Sequence, residues 1–143
     1  MTTINLDKNA KVQTSLLVDI TIESTLPELQ GSRVTITRIS SPKRRRQFTA
    51  IVKKQNGEEL NLSRLDYFPL IVGTVIGELL DCPITIRLHD IGQLREGYHA
   101  VVTATSSLFG KEEQKSESVD KLGCVAMTKA AVKATEALFA GKD

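Results

Sequence analysis

Between Val34 and Val102 the chain reads twice. Val34 to Val52, VTITRISSPKRRRQFTAIV, lies on Ile84 to Val102, ITIRLHDIGQLREGYHAVV, at a constant offset of 50 and without a gap. Thr35/Thr85, Ile36/Ile86, Arg45/Arg95, Ala50/Ala100 and Val52/Val102 are identical, and Val34/Ile84, Phe48/Tyr98 and Ile51/Val101 are near-equivalent. Self-similarity at such a period restricts the chain to two copies of one supersecondary unit, each too small to bury its apolar face alone.

Each copy opens with an alternating run, Val34 and Ile36 or Ile84, Ile86 and Leu88, the period-2 signature of a strand with one buried face. Turn residues follow, Ser40-Ser41-Pro42 in one copy and Gly92 with Gly97 in the other. A second strand is then expected over Phe48 to Lys53 and over Tyr98 to Thr105, closing a hairpin. Asn56-Gly57 predicts a type I′ turn, with positive φ at both central residues, and a third strand over Glu58 to Leu62. Phe109-Gly110-Lys111 takes that place in the second copy.

A helix is expected to close each copy. Ser63-Arg64-Leu65-Asp66 fits a capping box, and Pro69 is tolerable only near a first turn, so the apolar segment Phe68 to Leu80 is predicted helical. Leu122 to Phe139 is rich in Ala, Lys, Glu and Leu, all strong helix formers. Gly123, Ala126, Met127, Ala130, Ala131, Ala134, Ala137 and Leu138 form one stripe of it, small enough to lie close on a sheet. Val125, Val132 and Phe139 fall on the other side, among Thr128, Lys129, Lys133 and Glu136, and are the candidate self-association seam. The expected fold is therefore α+β: a tandem βββα repeat with pseudo-twofold symmetry, units at about 33–81 and 83–140, plus one extra strand over Ser15 to Glu23. Residues 1–13 read as a polar tail and 14–143 as a single domain.

At 143 residues, 41% apolar and with a net charge of +2, the chain can bury a core without metal or disulfide, which excludes wholesale disorder. The most apolar stretch, Tyr67 to Gly77, is about half of the roughly 20 residues that cross a bilayer, and Met1 to Val12 is not signal-like. A soluble, cytoplasmic protein without membrane contact is expected. Cys82 and Cys124 lack C-x-x-C spacing and read as ordinary buried or half-buried thiols. With His89 and His99 they make no nucleophile, acid–base or metal constellation, so no enzyme and no cofactor is expected. Gly73 and Gly77 lack the Lys-Ser/Thr of a phosphate loop.

The one concentrated charge is Lys43-Arg44-Arg45-Arg46 at the first hairpin tip, followed across the strand by Lys53-Lys54. Cations so placed could neutralise backbone phosphates in a salt-sensitive way, which makes these four the candidate polyanion site.

Two consecutive βββα units ending in Ala126-Met127-Thr128-Lys129-Ala130-Ala131-Val132-Lys133-Ala134 resemble the C-terminal regulatory (dimerisation) domain of 2-isopropylmalate synthase and its citramalate and homocitrate relatives. The resemblance covers about Val34 to Phe139. It implies a homodimer that binds an end-product amino acid between its units and regulates a catalytic barrel, for which this chain has no room. A weaker similarity, in strand–helix order and in Lys43 to Arg46 and Lys121, is to double-stranded-RNA-binding domains. The expectation is a non-catalytic regulatory or scaffold module that self-associates and binds a small metabolite or a protein partner. The alternative is a nucleic-acid-binding protein.

Overall fold

A computed structural model describes residues 13–41, 44–65 and 67–140. Four strands, β1 (Gln13–Thr21), β2 (Arg33–Ser41), β3 (Arg44–Lys53) and β4 (Glu59–Leu65), precede helix α1 (Phe68–Leu80). Three more, β5 (Thr85–Leu94), β6 (Gly97–Thr105) and β7 (Glu113–Asp120), precede helix α2 (Gly123–Phe139). The fold is α+β. Two antiparallel sheets are ordered β1-β2-β3-β4 and β5-β6-β7.

Alternation along the strands builds the core. On the inner face of the first sheet, Val18, Ile36, Ala50 and Leu62 form one cross-strand row, and Ile20, Val34, Val52 and Leu60 the next. Ile86 and Ala104 pair in the second sheet, as do Leu88 and Val102. Both helices touch both sheets: α1 packs on β3, β4 and β5, while α2 packs on β5, β6, β7 and β1. One continuous core results, with Ala126, Ala130, Ala131 and Ala134 of α2 wholly buried in it. Glu136 ties α2 to the first sheet, accepting from Ser24 Oγ at 2.7 Å and from the Thr25 N–H at 2.8 Å.

α1 spans Phe68–Leu80 as expected, with Pro69 in its first turn and Phe68 edge-on to Phe48 at 5.8 Å between ring centroids. The capping box does not form. Ser63 lies in β4, Asp66 lies outside the described residues, and Tyr67 begins the helix without a side-chain cap. The Asn56-Gly57 turn also differs from type I′, because only Gly57 has positive φ, at 94°. Gly57 N–H donates to the Lys54 carbonyl and Lys54 N–H to that of Glu58, a three-residue loop in which the glycine forms the bulge.

The gap-free offset does not carry strand pairing. Val34 faces Val52 in the first hairpin, whereas Val102 faces Leu88 and Ile84 precedes β5. Turn positions shift too: Ser41 pairs with Arg44 across Pro42-Lys43, and Leu94 with Gly97 across Arg95-Glu96, leaving Gly92 inside β5. The sheets also carry different irregularities. An extra residue lies at Leu17 in β1 and at His89 in β5, and each such bulge moves the following residues to the opposite face.

Candidate functional site

A groove opens between two strand edges. β1 is an edge of the first sheet and β7 an edge of the second, and α2 lies against both. Ile20 to Glu23 on one side, Ser118 and Val119 on the other, and Lys129, Val132 and Lys133 from α2 enclose about 510 Å³. A neighbouring recess of about 300 Å³ shares Ile20 and Lys129 and continues past Leu16, Asp120 and Leu122. Together they follow the chain from Leu16 along β1 and just past its end to Glu23, about 23 Å at roughly 3.3 Å per residue.

Helical spacing brings the two lysines together, since residues four apart on α2 share a face. Their partners differ. Lys129 Nζ donates to Asp120 Oδ2 at 2.7 Å, and Asp120 Oδ1 accepts the Leu122 N–H at 3.2 Å. Burial works against ionisation of Asp120, but the Lys129 and Leu122 hydrogen bonds and the Lys129 charge outweigh it, holding the carboxyl below its ordinary range. Lys133 Nζ reaches only the Glu117 carbonyl, at 3.4 Å, and has no carboxylate partner among the described residues. Among the described residues, then, Lys129 is paired with a carboxylate and Lys133 is not, while Glu23 adds a carboxylate to the same lining.

The expected seam is placed differently. Val125 and Val132 are 4% and 5% exposed, buried beside β1 within the single chain, and each lines part of the groove or its recess. Phe139 is half-buried and edge-on to Phe109, with ring centroids 5.0 Å apart. The premise of an open seam fails, because β1 and the turn Ser107–Phe109 supply the cover that a second copy was expected to give.

Of the candidate polyanion residues, Lys43 lies outside the described residues, and Arg44, Arg45 and Arg46 open β3 at the turn end of the hairpin, Arg44 paired with Ser41 and the other two within the register shift that follows. Their side chains are likewise outside what is described. His89 occupies the β5 bulge rather than a strand end and hydrogen-bonds Thr103 Oγ1. His99 Nε2 lies 3.4 Å from Glu117 Oε2. Cys82 is buried, 3.5 Å from Ser106 Oγ. Burial pushes the half-buried Cys124 thiol up, with the Arg38 charge pulling the other way. No group of three His, Cys, Asp or Glu among the described residues is arranged to hold a metal, and none of the described helices is long and apolar enough to cross a membrane.

Sequence reasoning placed Lys129 and Lys133 on the second side of α2 but took that side as a seam; their four-residue spacing was the available signal. Ser118 and Glu23 carried none, because their approach depends on the packing of two sheets. Comparison with protein-family models, curated proteins and solved structures found no match.

Proposed function

We propose that the chain is a non-catalytic regulatory or scaffold module that self-associates and holds a small anionic metabolite in the groove between β1 and β7. In this reading two βββα units, related by duplication and a pseudo-twofold axis, share one core, and the ligand lies between them. The order of three strands and a helix, twice over, supports the duplication, with insertions that break the constant offset. The reading carries forward the resemblance of the repeat order and of the helix Ala126 to Ala134 to the regulatory domain of 2-isopropylmalate synthase.

The observation that carries the ligand class is Lys133, which lines a groove of about 510 Å³ beside Val132 and has no carboxylate partner among the described residues. A carboxylate there would gain a charge-assisted hydrogen bond, and Ile20, Ile22 and Val132 offer contact to an apolar side chain. Amino acids and other small carboxylates meet that description.

Thermal unfolding and calorimetry with a panel of amino acids, dicarboxylates and inorganic phosphate test it. At least one carboxylate should bind saturably in calorimetry and raise Tm progressively with concentration, by the equivalent of about 2.7 kcal/mol at a hundred times its Kd. Lys133→Ala should abolish that rise while leaving the ligand-free Tm unchanged. The alternative, nucleic-acid binding through Lys43, Arg44, Arg45 and Arg46, is read in parallel by anisotropy with single- and double-stranded DNA and RNA at two salt concentrations. Salt-sensitive binding lost on replacing those four with Ala, together with a silent carboxylate panel, would overturn the metabolite reading.

A further inference from the structure

The two sheets end in four edge strands, β1, β4, β5 and β7, and three of them are interrupted. β1 has its bulge at Leu17, β5 has one at His89 and is pressed at its start by α1, and the register of β4 shifts opposite Phe48–Ala50. Such irregularities are how sheets discourage edge-to-edge addition. β7 has none: it pairs with β6 in unbroken register from Glu113 to Asp120.

Its outward groups can be identified. The Glu117 carbonyl accepts from Lys133 of α2, at 3.4 Å, which is the approach expected of a carbonyl turned to the open side of the strand. In an antiparallel strand alternate residues turn both N–H and C=O to the same side. Glu113, Lys115, Glu117 and Val119 therefore offer their backbone to a further strand. On the solvent face the same residues read Glu, Lys, Glu, Val, with the Glu117 side chain 69% exposed and Val119 55% exposed.

We propose that a second copy of the chain pairs with β7 along this edge, antiparallel about a twofold axis at Ser116. This places Lys115 of each copy opposite Glu117 of the other, and Glu113 opposite Val119, so the charge pattern is complementary to itself in this register; a twofold at Gln114 would instead pair Lys115 with Glu113, and the Glu117 exchanges below tell the two apart. Residues 115 and 117 also exchange their outward backbone hydrogen bonds in it, making one six-stranded sheet from the two three-stranded ones. His99, the present neighbour of Glu117 at 3.4 Å, lies on the adjoining strand and does not block the approach. The incoming Lys115 N–H replaces Lys133 at the Glu117 carbonyl and releases that amine into the groove. The proposal deepens the self-association part of the reading above; Val119 also lines the groove, so the interface is tested on the ligand-free chain, where its failure leaves the ligand reading standing.

Sedimentation velocity over a wide concentration range tests it, with far-UV circular dichroism as the check on folding. The native chain should form a dimer. Lys115→Glu and Glu117→Lys each set like charges opposite one another twice, and each should weaken the dimer about tenfold or more. An equimolar mixture of the two variants should regain a dimer of native strength, as should the double exchange Lys115→Glu with Glu117→Lys. A native chain that stays monomeric overturns the self-association itself. A dimer indifferent to the single exchanges, or variants that weaken it but do not recover on mixing, overturns the β7 interface while leaving dimerisation standing.

Discussion

The carboxyl of Asp120 closes β7, takes the Leu122 N–H at the entrance to α2 and binds Lys129 across one turn of that helix. A negative charge there also suits the positive end of the helix dipole. Because its folded pKa is depressed, its contribution is fully present above the unfolded carboxylate value, about 3.9, and is lost as pH falls through the lower folded value. Lys129 is 48% exposed, so solvent screening keeps the pair's worth below about 1 kcal/mol. Asp120→Asn retains an acceptor for the Leu122 N–H and removes only the charge. It should lower stability by about 0.5 kcal/mol at neutral pH, and the difference should shrink as pH falls below the ordinary carboxylate range, in urea unfolding followed by circular dichroism across acid pH.

At the level of elements, α1 is fixed by a backbone contact. A Cβ on Gly73 would stand 2.9 Å from the Ile84 carbonyl oxygen, and one on Gly77 2.7 Å from that of Cys82. Helix propensity alone would favour alanine at both by about 1 kcal/mol. The obstructing atoms are main-chain oxygens that cannot rotate away, so overpacking prevails. Gly73→Ala and Gly77→Ala should each destabilise by about 1–3 kcal/mol net, read as a lower urea midpoint at unchanged slope. The same pair shows how far the sequence was legible. Pro69, the apolar run and the length of Phe68–Leu80 specify a helix locally, and α2 starts at Gly123, one residue from its expected start. What Gly73 and Gly77 serve was not legible: they could be excluded as a phosphate loop, but the close return of the chain over α1, at Cys82 beside Gly77 and at Ile84 to Ile86 beside Gly73, is defined only by packing. Register was hidden for the same reason. The bulges at Leu17 and His89 follow no residue preference, yet each moves every later side chain to the other face, so a correct count of strands coexisted with an incorrect alignment of hairpins. The groove needed Ile20 and Ser118 side by side, nearly the whole chain apart, which periodicity within one helix cannot supply.

For the whole molecule, α2 is the shared wall of both sheets, which decides between two sources of self-association. Val125 and Val132 sit at positions that look like a seam when the helix is projected alone, and like core once β1 covers them. Truncation of a buried valine leaves a void that surrounding side chains only partly close. Val132→Ala should therefore cost about 1–3 kcal/mol of unfolding free energy. It should leave the dimer dissociation constant, by sedimentation, at its native value, since the edge of β7 and not the helix would hold the copies together. The opposite pattern, a dissociated dimer with native unfolding free energy, would return the interface to α2 and require β1 to leave it in the assembled state. A single core also means a single transition: loss of packing at Val132 should shift the unfolding of both sheets together rather than release β1–β4 ahead of β5–β7. Coincident curves from far-UV circular dichroism and from amide exchange on strands of each sheet are the expected outcome. Separate midpoints would mean that the two units fold independently, and that the groove between β1 and β7 is a boundary between bodies rather than a wall of one core.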